Sequence, residues 1–346
     1  MNNQRELTII NILKTNKSLS SKEIFDNLAL EISYATLKRI LTKLQLENTI
    51  ATIGKGKATK YSISPAYELL QPINLDDYYK KEIDDRDIKE KFNLKVITET
   101  LNAHPIFTKI ELEKLQNLQN IYTNNVRQLS ESEYKKELDR LAIDLSWKSS
   151  QIEGNTYSLL ETERLLKDKE TASGKTKEEA IMLLNHKDAL DFIIENPGYL
   201  HPLAVSKIED IHSLLIKELD VQKNIRKRRV GISGTNYRPL DNEFQISEAL
   251  KCACSLINAK ENVFEKALLT LVLISYIQPF MDGNKRTARI VSNAILMNKN
   301  YCPLSFRTVD AIDYKKAMLL FYEQNNISSF KEIFIAQFEF AVNTYF

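Results

Sequence analysis

The pattern of hydrophobic and polar positions predicts a chain built mainly of α-helices. Apolar residues recur at intervals of three and four over long segments, which is the spacing of one buried helix face. These segments are residues 92–101, 109–128, 130–148, 177–194, 203–219, 246–258 and 263–276. The last of them is apolar on every side, so we expect it to form a buried helix at the centre of the fold.

The first 65 residues follow a different pattern. The predicted elements are three amphipathic helices at 6–15, 21–28 and 34–46, then two alternating strands at 50–53 and 60–63. Ser21 is the expected N-cap of the second helix and Ser33 that of the third. Three helices and a hairpin around a glycine-lysine loop resemble a winged helix-turn-helix domain. Residues 66–91 lose this periodicity and become highly charged, which predicts a linker.

This N-terminal segment is basic. Through residue 65 it carries ten Lys or Arg residues against five Asp or Glu residues, whereas the whole chain has a formal net charge of +2. If the segment binds DNA, the third helix presents Lys38, Arg39 and Lys43, and the hairpin brings Lys55 and Lys57 to the phosphate backbone. Protein docking, dimerisation and an ordinary solvated surface are the alternatives, and the sequence leaves them open.

The composition of the whole chain is typical of a soluble globular protein. No apolar run approaches the roughly 20 residues of a transmembrane helix, so no membrane partner is expected. The polar start of the chain does not resemble a signal peptide. Three cysteines, an odd and small number, favour free thiols in a reducing compartment. We therefore expect a cytoplasmic protein.

The residues after the buried helix have the chemistry of a polyphosphate site. Pro279 is expected to end that helix, and the next helix is expected to begin near Gly283, where free N–H groups and the helix dipole favour an anion. Arg286 and Arg289 follow on one face of that helix. Asp282 is the one carboxylate among these cations and is placed to hold a magnesium ion that bridges phosphate oxygens. The predicted nucleotide-binding residues here are Gly283, Asn284, Lys285, Arg286 and Arg289.

Residues 278–289 resemble the signature of the Fic (Fic/Doc, or Fido) family, HPFx[D/E]GN[G/K]RxxR. Every position matches except the catalytic histidine, which is Gln278 here. The resemblance covers residues 92–346 and implies a Fic-type helical bundle, with N-terminal helices at 92–200 and a core at 201–346. It also implies a protein adenylyltransferase, which transfers AMP from ATP to a Ser, Thr or Tyr hydroxyl of a target protein with the help of Mg²⁺.

Two further segments resemble parts of that family. Residues 149–154 resemble its inhibitory motif, in which Ser149 and Glu153 share a helix face that Gly154 ends. The resemblance implies that Glu153 pairs with Arg289 and occupies the space that a γ-phosphate needs. Residues 226–239 contain two glycines and β-forming residues, which predicts a β-hairpin. They resemble the family's flap, which implies that Gly231 and Ile232 lie beside the nucleotide.

Gln278 limits how much function the resemblance carries over. A glutamine amide cannot accept a proton near neutral pH, and the loss of a general base costs roughly two to four orders of magnitude in rate. We expect an autoinhibited adenylyltransferase whose activity is impaired by Gln278. The alternative is a non-catalytic regulator that senses nucleotide or binds DNA. The sequence decides neither the target nor whether the chain forms a homodimer.

Overall fold

The chain folds into two units, each with its own hydrophobic core. The structure, a computed structural model, describes residues 2–28 and 32–346, without the side chains of residues 2, 3 and 57. The first unit comprises Met1–Pro72 and Gln324–Ser328, and the second comprises Ile73–Glu323 and Ser329–Phe346.

The first unit contains the three predicted helices and the predicted β-hairpin, together with a short first strand and a fourth helix that the hydrophobic pattern does not predict. Its elements are α1 (Asn2–Thr15), β1 (Leu19–Ser20), α2 (Ser21–Asp26), α3 (Tyr34–Leu46), β2 (Ile50–Ile53), β3 (Lys60–Ile63) and α4 (Pro65–Leu70), with a 3₁₀ turn at Gly56–Ala58. The strands form an antiparallel sheet in the order β1-β3-β2, in which Thr52 lies opposite Tyr61.

Local sequence signals set the helix starts of this unit. The hydroxyl of Ser33 accepts the N–H of Thr36 at 3.1 Å, so α3 begins where the sequence predicts. The cap of α2 is Ser20 rather than Ser21, because Ser20 forms a reciprocal capping box with Glu23. The apolar faces meet in a core formed by Ile9, Ile10, Leu13, Ile24, Leu37, Leu41, Leu44, Ile50 and Tyr61.

The second unit is helical. Its helices are α5 (Leu75–Tyr79), α6 (Leu101–Ala103), α7 (Lys109–Val126), α8 (Glu131–Ile152), α9 (Leu159–Asp168), α10 (Lys177–Glu195), α11 (Val205–Leu215), α12 (Glu243–Ala259), α13 (Val263–Ile277), α14 (Asn284–Asn298), α15 (Ala311–Gln324) and α16 (Ser328–Tyr345). A 3₁₀ turn lies at Ile83–Asp85, and a π-helical turn at Val96–Thr100 leads into α6. None of the described helices is both long and apolar enough to cross a bilayer.

Helices α13 and α14 form the centre of this unit. From Phe264 to Ile277, every residue except Lys266 is buried, which is the expectation for a helix that is apolar on all sides. The following helix, α14, packs against α13 and also contacts α8, α10 and α11. The loop between α13 and α14 therefore joins two buried helices and is held from several directions.

Part of the predicted linker packs on α15. The guanidinium of Arg86 lies 3.1 Å from a carboxylate oxygen of Glu323, and both side chains are buried. The hydroxyl of Tyr78 donates to the same carboxylate at 2.7 Å, and that of Tyr79 donates to the carbonyl oxygen of Lys316 at 2.8 Å. These contacts order residues 73–91 along the second unit.

The predicted β-hairpin at residues 226–239 is wrong. All of these residues are described and none of them lies in a strand; one isolated parallel bridge joins Arg238 to Lys91. The main chain is held instead by the buried guanidinium of Arg226, which donates to the carbonyl oxygens of Arg228 and Leu240. The segment is an irregular loop, here named the 226–239 loop.

Candidate functional site

The loop between α13 and α14 is folded by its own polar side chains. Helix α13 ends at Ile277, and its C-cap, Gln278, is a non-glycine residue in the left-handed region (φ 52°, ψ 59°). The amide of Asn284 accepts the N–H of Phe280 at 2.8 Å and donates to its carbonyl oxygen at 2.8 Å. The same amide donates to Oε1 of Gln278 at 3.0 Å. Asn284, predicted as a ligand of the nucleotide, thus uses both amide hydrogens within the loop.

Gln278 is fixed by these and further bonds. Its Nε2 donates to the carbonyl oxygen of Ser275 at 2.6 Å and lies 3.4 Å from the hydroxyl of Tyr322. The main-chain carbonyl oxygen of Gln278 accepts a hydrogen bond from Nε of Arg226 at 2.6 Å. Burial holds the pKa of Tyr322 well above its ordinary value, so this phenol stays protonated at neutral pH.

The start of α14 has the geometry of an anion site. Gly283, its N-cap, has a φ of +79°, which glycine adopts without strain. The buried guanidinium of Arg286 donates to the carboxylate of Asp282 at 2.9 Å, while Asp282 itself is 60% exposed. Within the described residues, Nε and Nη1 of Arg286 and Nη1 of Arg289 are buried without a hydrogen-bond partner. Such donors are costly to bury unless a ligand uses them, so their presence fits a phosphate group.

Helix α8 brings Ser149 and Glu153 to Arg289. The guanidinium of Arg289 donates to the hydroxyl of Ser149 at 2.8 Å, to its carbonyl oxygen at 3.0 Å, and to Oε1 of Glu153 at 2.7 Å. Helix α8 ends at this point, and Gly154 follows with a φ of +99°. The carboxylate therefore projects from the end of α8 onto α14.

A second cation contacts the same carboxylate. Nζ of Lys285 lies 3.1 Å from Oε2 of Glu153. Burial by itself would raise the pKa of Glu153, but the charges of Arg289 and Lys285 outweigh it and lower the pKa to about 2. Glu153 is therefore ionised at neutral pH and bridges two cations of α14.

Two residues that sequence reasoning missed hold the loop in place. The ring of His212, on α11, stacks on Phe280 with centroids 3.6 Å apart, and its nitrogens lie 3.1 and 3.0 Å from the carbonyl oxygens of Lys223 and Asp282. Arg226 contacts the loop from the other side, through Gln278 and through its own N–H, which donates to the carbonyl oxygen of Pro279 at 2.9 Å. A histidine inside a helix and one arginine within a basic run carry no local signal of these contacts.

His186 is a buried histidine whose pKa is affected by the charges of Arg286 and Arg289. It is fully buried on α10, and its Nδ1 lies 3.3 Å from the hydroxyl of Ser146. Burial, together with the charges of Arg289 and Arg286, holds the pKa of His186 well below its ordinary value, so the imidazole is neutral. A neutral ring adds no further positive charge beside the arginines.

A cavity of about 240 Å³ opens beside Gln278. Its lining includes Gly231 and Ile232 of the 226–239 loop, Gln278 and Lys285 of the signature, and Tyr322 of α15. The structure thus brings the two predicted loop residues next to the signature residues, as the resemblance implies, although the loop is not a hairpin.

The candidate metal ligand is a single carboxylate. In the part of the chain that the structure describes, no group of three or more His, Cys, Asp or Glu side chains could hold a metal ion. Asp282 lies just before α14, with 60% of its side chain exposed. One carboxylate fits Mg²⁺, which usually keeps several waters and is shared with substrate phosphates.

The predicted DNA-contacting residues of the first unit differ in their surroundings. Arg39 and Lys55 are exposed. Lys38 lies over the rings of Tyr34 and Tyr61, with its Nζ 5.7 Å from each ring centroid. Lys43 forms an ion pair with Glu6 at 2.7 Å. The side chain of Lys57 lies outside the described part of the chain.

Comparison with known proteins identifies the class of the second unit. Residues 202–296 match the model of the Fic/DOC family. The chain is 29% identical over 181 residues to protein adenylyltransferase Fic of Nematostella vectensis, covering 48% of this chain and 40% of the relative. It is 27% identical over 161 residues to protein adenylyltransferase fic-1 of Caenorhabditis elegans, covering 44% and 31%. The chain thus spans less than half the length of these curated relatives.

Solved structures show the same fold. A fragment of Fic-1 from C. elegans (residues 134–508) superposes with a TM-score of 0.59 at 21% identity, covering 68% of this chain and 72% of the fragment. A Fic domain containing signaling protein from Bacteroides thetaiotaomicron gives a TM-score of 0.58 at 19% identity, covering 66% and 94%. The chain contains a Fic/DOC family domain with the Fic fold.

Proposed function

We propose that this chain is a Fic-type protein adenylyltransferase that Glu153 inhibits and that Gln278 leaves with weak activity. The reaction would transfer AMP from ATP to a Ser, Thr or Tyr hydroxyl of a target protein and release pyrophosphate. One observation carries the proposal. Arg286 and Arg289 stand on one face of α14, both with buried unpartnered donors, at the helix start where Asp282 is exposed.

The residues of α14 account for nucleotide binding. The N–H groups beginning at Gly283 and the guanidiniums of Arg286 and Arg289 supply donors for phosphate oxygens. Asp282 would hold Mg²⁺, which supplies neutralisation of the charge that develops on the phosphates. The 226–239 loop, through Gly231 and Ile232, would hold the target segment against the cavity by main-chain contacts.

Inhibition follows from the contact of Glu153. Its carboxylate accepts a hydrogen bond from Nη2 of Arg289 and lies beside Lys285, so an anionic phosphate can replace it at these two cations only after the carboxylate leaves. A carboxylate and a phosphate cannot both bind the same two cations without a large cost from the repulsion between their negative charges. The ionised state of Glu153 at neutral pH therefore opposes productive binding of ATP.

Gln278 explains why transfer should be weak. Both ends of its amide are already hydrogen-bonded, and an amide accepts no proton near neutral pH. Among the described residues that line the cavity there is neither a carboxylate nor an imidazole. Without a general base, the rate is expected to fall by roughly two to four orders of magnitude.

The test is auto-labelling with α-labelled ATP and magnesium. The chain as it stands is compared with Gln278→His, each with and without Glu153→Gly, and Gln278→Asn is the matched control that supplies no base. We expect labelling from the histidine variants and more of it when Glu153 is also replaced. If ATP binds to every variant and none is labelled, the transferase assignment is refuted.

A second candidate function is a regulator that responds to nucleotide without transferring it. The hydrogen bonds that build Gln278 into the loop favour it, because the nucleotide site keeps its shape without a base. In this case the three helices and hairpin of the first unit would act as a winged helix-turn-helix module, with Arg39 and Lys55 meeting DNA.

DNA binding is tested with the full chain and a fluorescent duplex at several salt concentrations, with and without ATP. If the module binds DNA, replacing Arg39 and Lys55 by glutamine should weaken binding and lower its salt dependence by about one unit for each phosphate that is no longer neutralised. Binding that is absent at low salt would exclude this candidate.

A further inference from the structure

The carboxylate of Glu153 is shared by two cations with unequal surroundings. Arg289 and Lys285 are four residues apart on α14, and each contacts one carboxylate oxygen. The side chain of Arg289 is fully buried, whereas that of Lys285 is 28% exposed. Lys285 is therefore the more accessible of the two cations.

Lys285 also belongs to the cavity beside Gln278. It lines that cavity together with Gly231 and Tyr322. An ammonium group has three N–H donors on a flexible four-carbon stem, and the contact with Glu153 takes one of them. The same side chain can therefore reach a ligand in the cavity with a small change of its torsion angles.

We propose that Lys285 alternates between two anions: Glu153 when the site is free, and the terminal phosphate of a nucleoside triphosphate when the site is filled. In the first state it strengthens inhibition. In the second it favours a triphosphate over a monophosphate. The inference rests on the proposed nucleotide-binding function and assigns Lys285 a double role within it.

Charge balance supports an exchange of partners. Removing Glu153 from its place leaves two cations without a counter-ion, one of them fully buried, and an unpaired buried charge is costly. A terminal phosphate has more negative charge and more acceptor oxygens than a carboxylate, so it can satisfy both cations at once. The cavity side also carries Lys315, which adds to the attraction for an anion.

The experiment measures affinity for ATP and for AMP by calorimetry in magnesium buffer, using the full chain. Lys285→Met is made both in the original chain and in Glu153→Gly. In Glu153→Gly, where Lys285 has no carboxylate to hold, we expect Lys285→Met to weaken ATP binding about tenfold and to leave AMP binding unchanged. In the original chain the decrease in affinity should be smaller than about threefold, or become a gain, because the substitution also loosens Glu153.

The results separate a failure of this inference from a failure of the proposed nucleotide-binding function. Equal decreases of ATP affinity in the two backgrounds would show that Lys285 does not share Glu153. An unchanged affinity in Glu153→Gly, or equal decreases for ATP and AMP, would show that it does not contact the terminal phosphate. Each of these overturns the inference and leaves the proposed function standing, whereas a Glu153→Gly chain that binds no ATP refutes both. Lys299→Met, an exposed lysine just after α14, is the matched control and should change neither affinity.

Discussion

Replacement of Glu153 by glutamine should destabilise the free protein and make it more responsive to ATP. The pKa of Glu153 is lowered from 4.5 to about 2. At about 1.4 kcal/mol per pKa unit, this corresponds to about 3 kcal/mol in favour of the ionised carboxylate in the folded state. Glutamine keeps the size of the side chain and loses that interaction, and the buried charge of Arg289 then has no anion beside it.

Urea unfolding at neutral pH measures this effect. The single tryptophan, Trp147, lies on α8 and donates its indole N–H to the carbonyl oxygen of Tyr157 at 3.0 Å, so its fluorescence reports on the helix that carries Glu153. We expect Glu153→Gln to lower the free energy of unfolding by about 3 kcal/mol without ATP. Saturating ATP with magnesium should restore a large part of that stability, because phosphate replaces the missing carboxylate.

A buried carboxylate elsewhere provides the matched control. Glu265, on α13, lies 3.3 Å from Lys260 and accepts the N–H of Ile106 at 2.7 Å. Glu265→Gln should also lower stability, but ATP should stabilise this variant only as much as it stabilises the original chain. The reasoning is refuted if Glu153→Gln is as stable as the original chain, or if ATP stabilises both of them equally.

Three further predictions concern other parts of the structure. The stability that Glu153 contributes is fully present above pH 4.5 and is lost as the pH falls towards 2, because its folded-state pKa is depressed. The difference in free energy of unfolding between the original chain and Glu153→Gln should therefore be only about half as large at pH 3 as at pH 6. A difference that stays constant with pH would contradict this. Arg226→Met removes the donors that bind three main-chain carbonyls and should lower the free energy of unfolding, measured with urea, by about 2–4 kcal/mol. Arg226→Lys should recover only part of that stability. Full recovery would mean that the positive charge alone matters. Leu41→Ala in the core of the first unit should cost about 2–5 kcal/mol by circular dichroism, whereas Leu46→Ala, at a residue that is 80% exposed, should cost almost nothing; equal effects would place the core elsewhere.

The sequence determined by itself the elements that depend on local signals. Helix α3 and strands β2 and β3 have the predicted bounds, and α13 was predicted to within one residue, because periodicity, caps and Pro279 act on neighbouring residues. The motif around Asp282 and Gly283 was likewise visible, since the start of a helix and its charges lie within a few residues of one another.

Apart from the pair of Glu153 and Arg289, which the family resemblance implies, only the tertiary structure decided which distant groups meet. One partner of Arg226 is a main-chain carbonyl 52 residues away. The predicted hairpin is an irregular loop in the structure. His212 reaches the carbonyl oxygen of Asp282 across 70 residues, and Lys285 reaches Glu153 across 132. These contacts form because α8, α11 and α14 pack around one buried centre. Packing between helices far apart in the chain is a property that hydrophobic period and residue spacing do not encode.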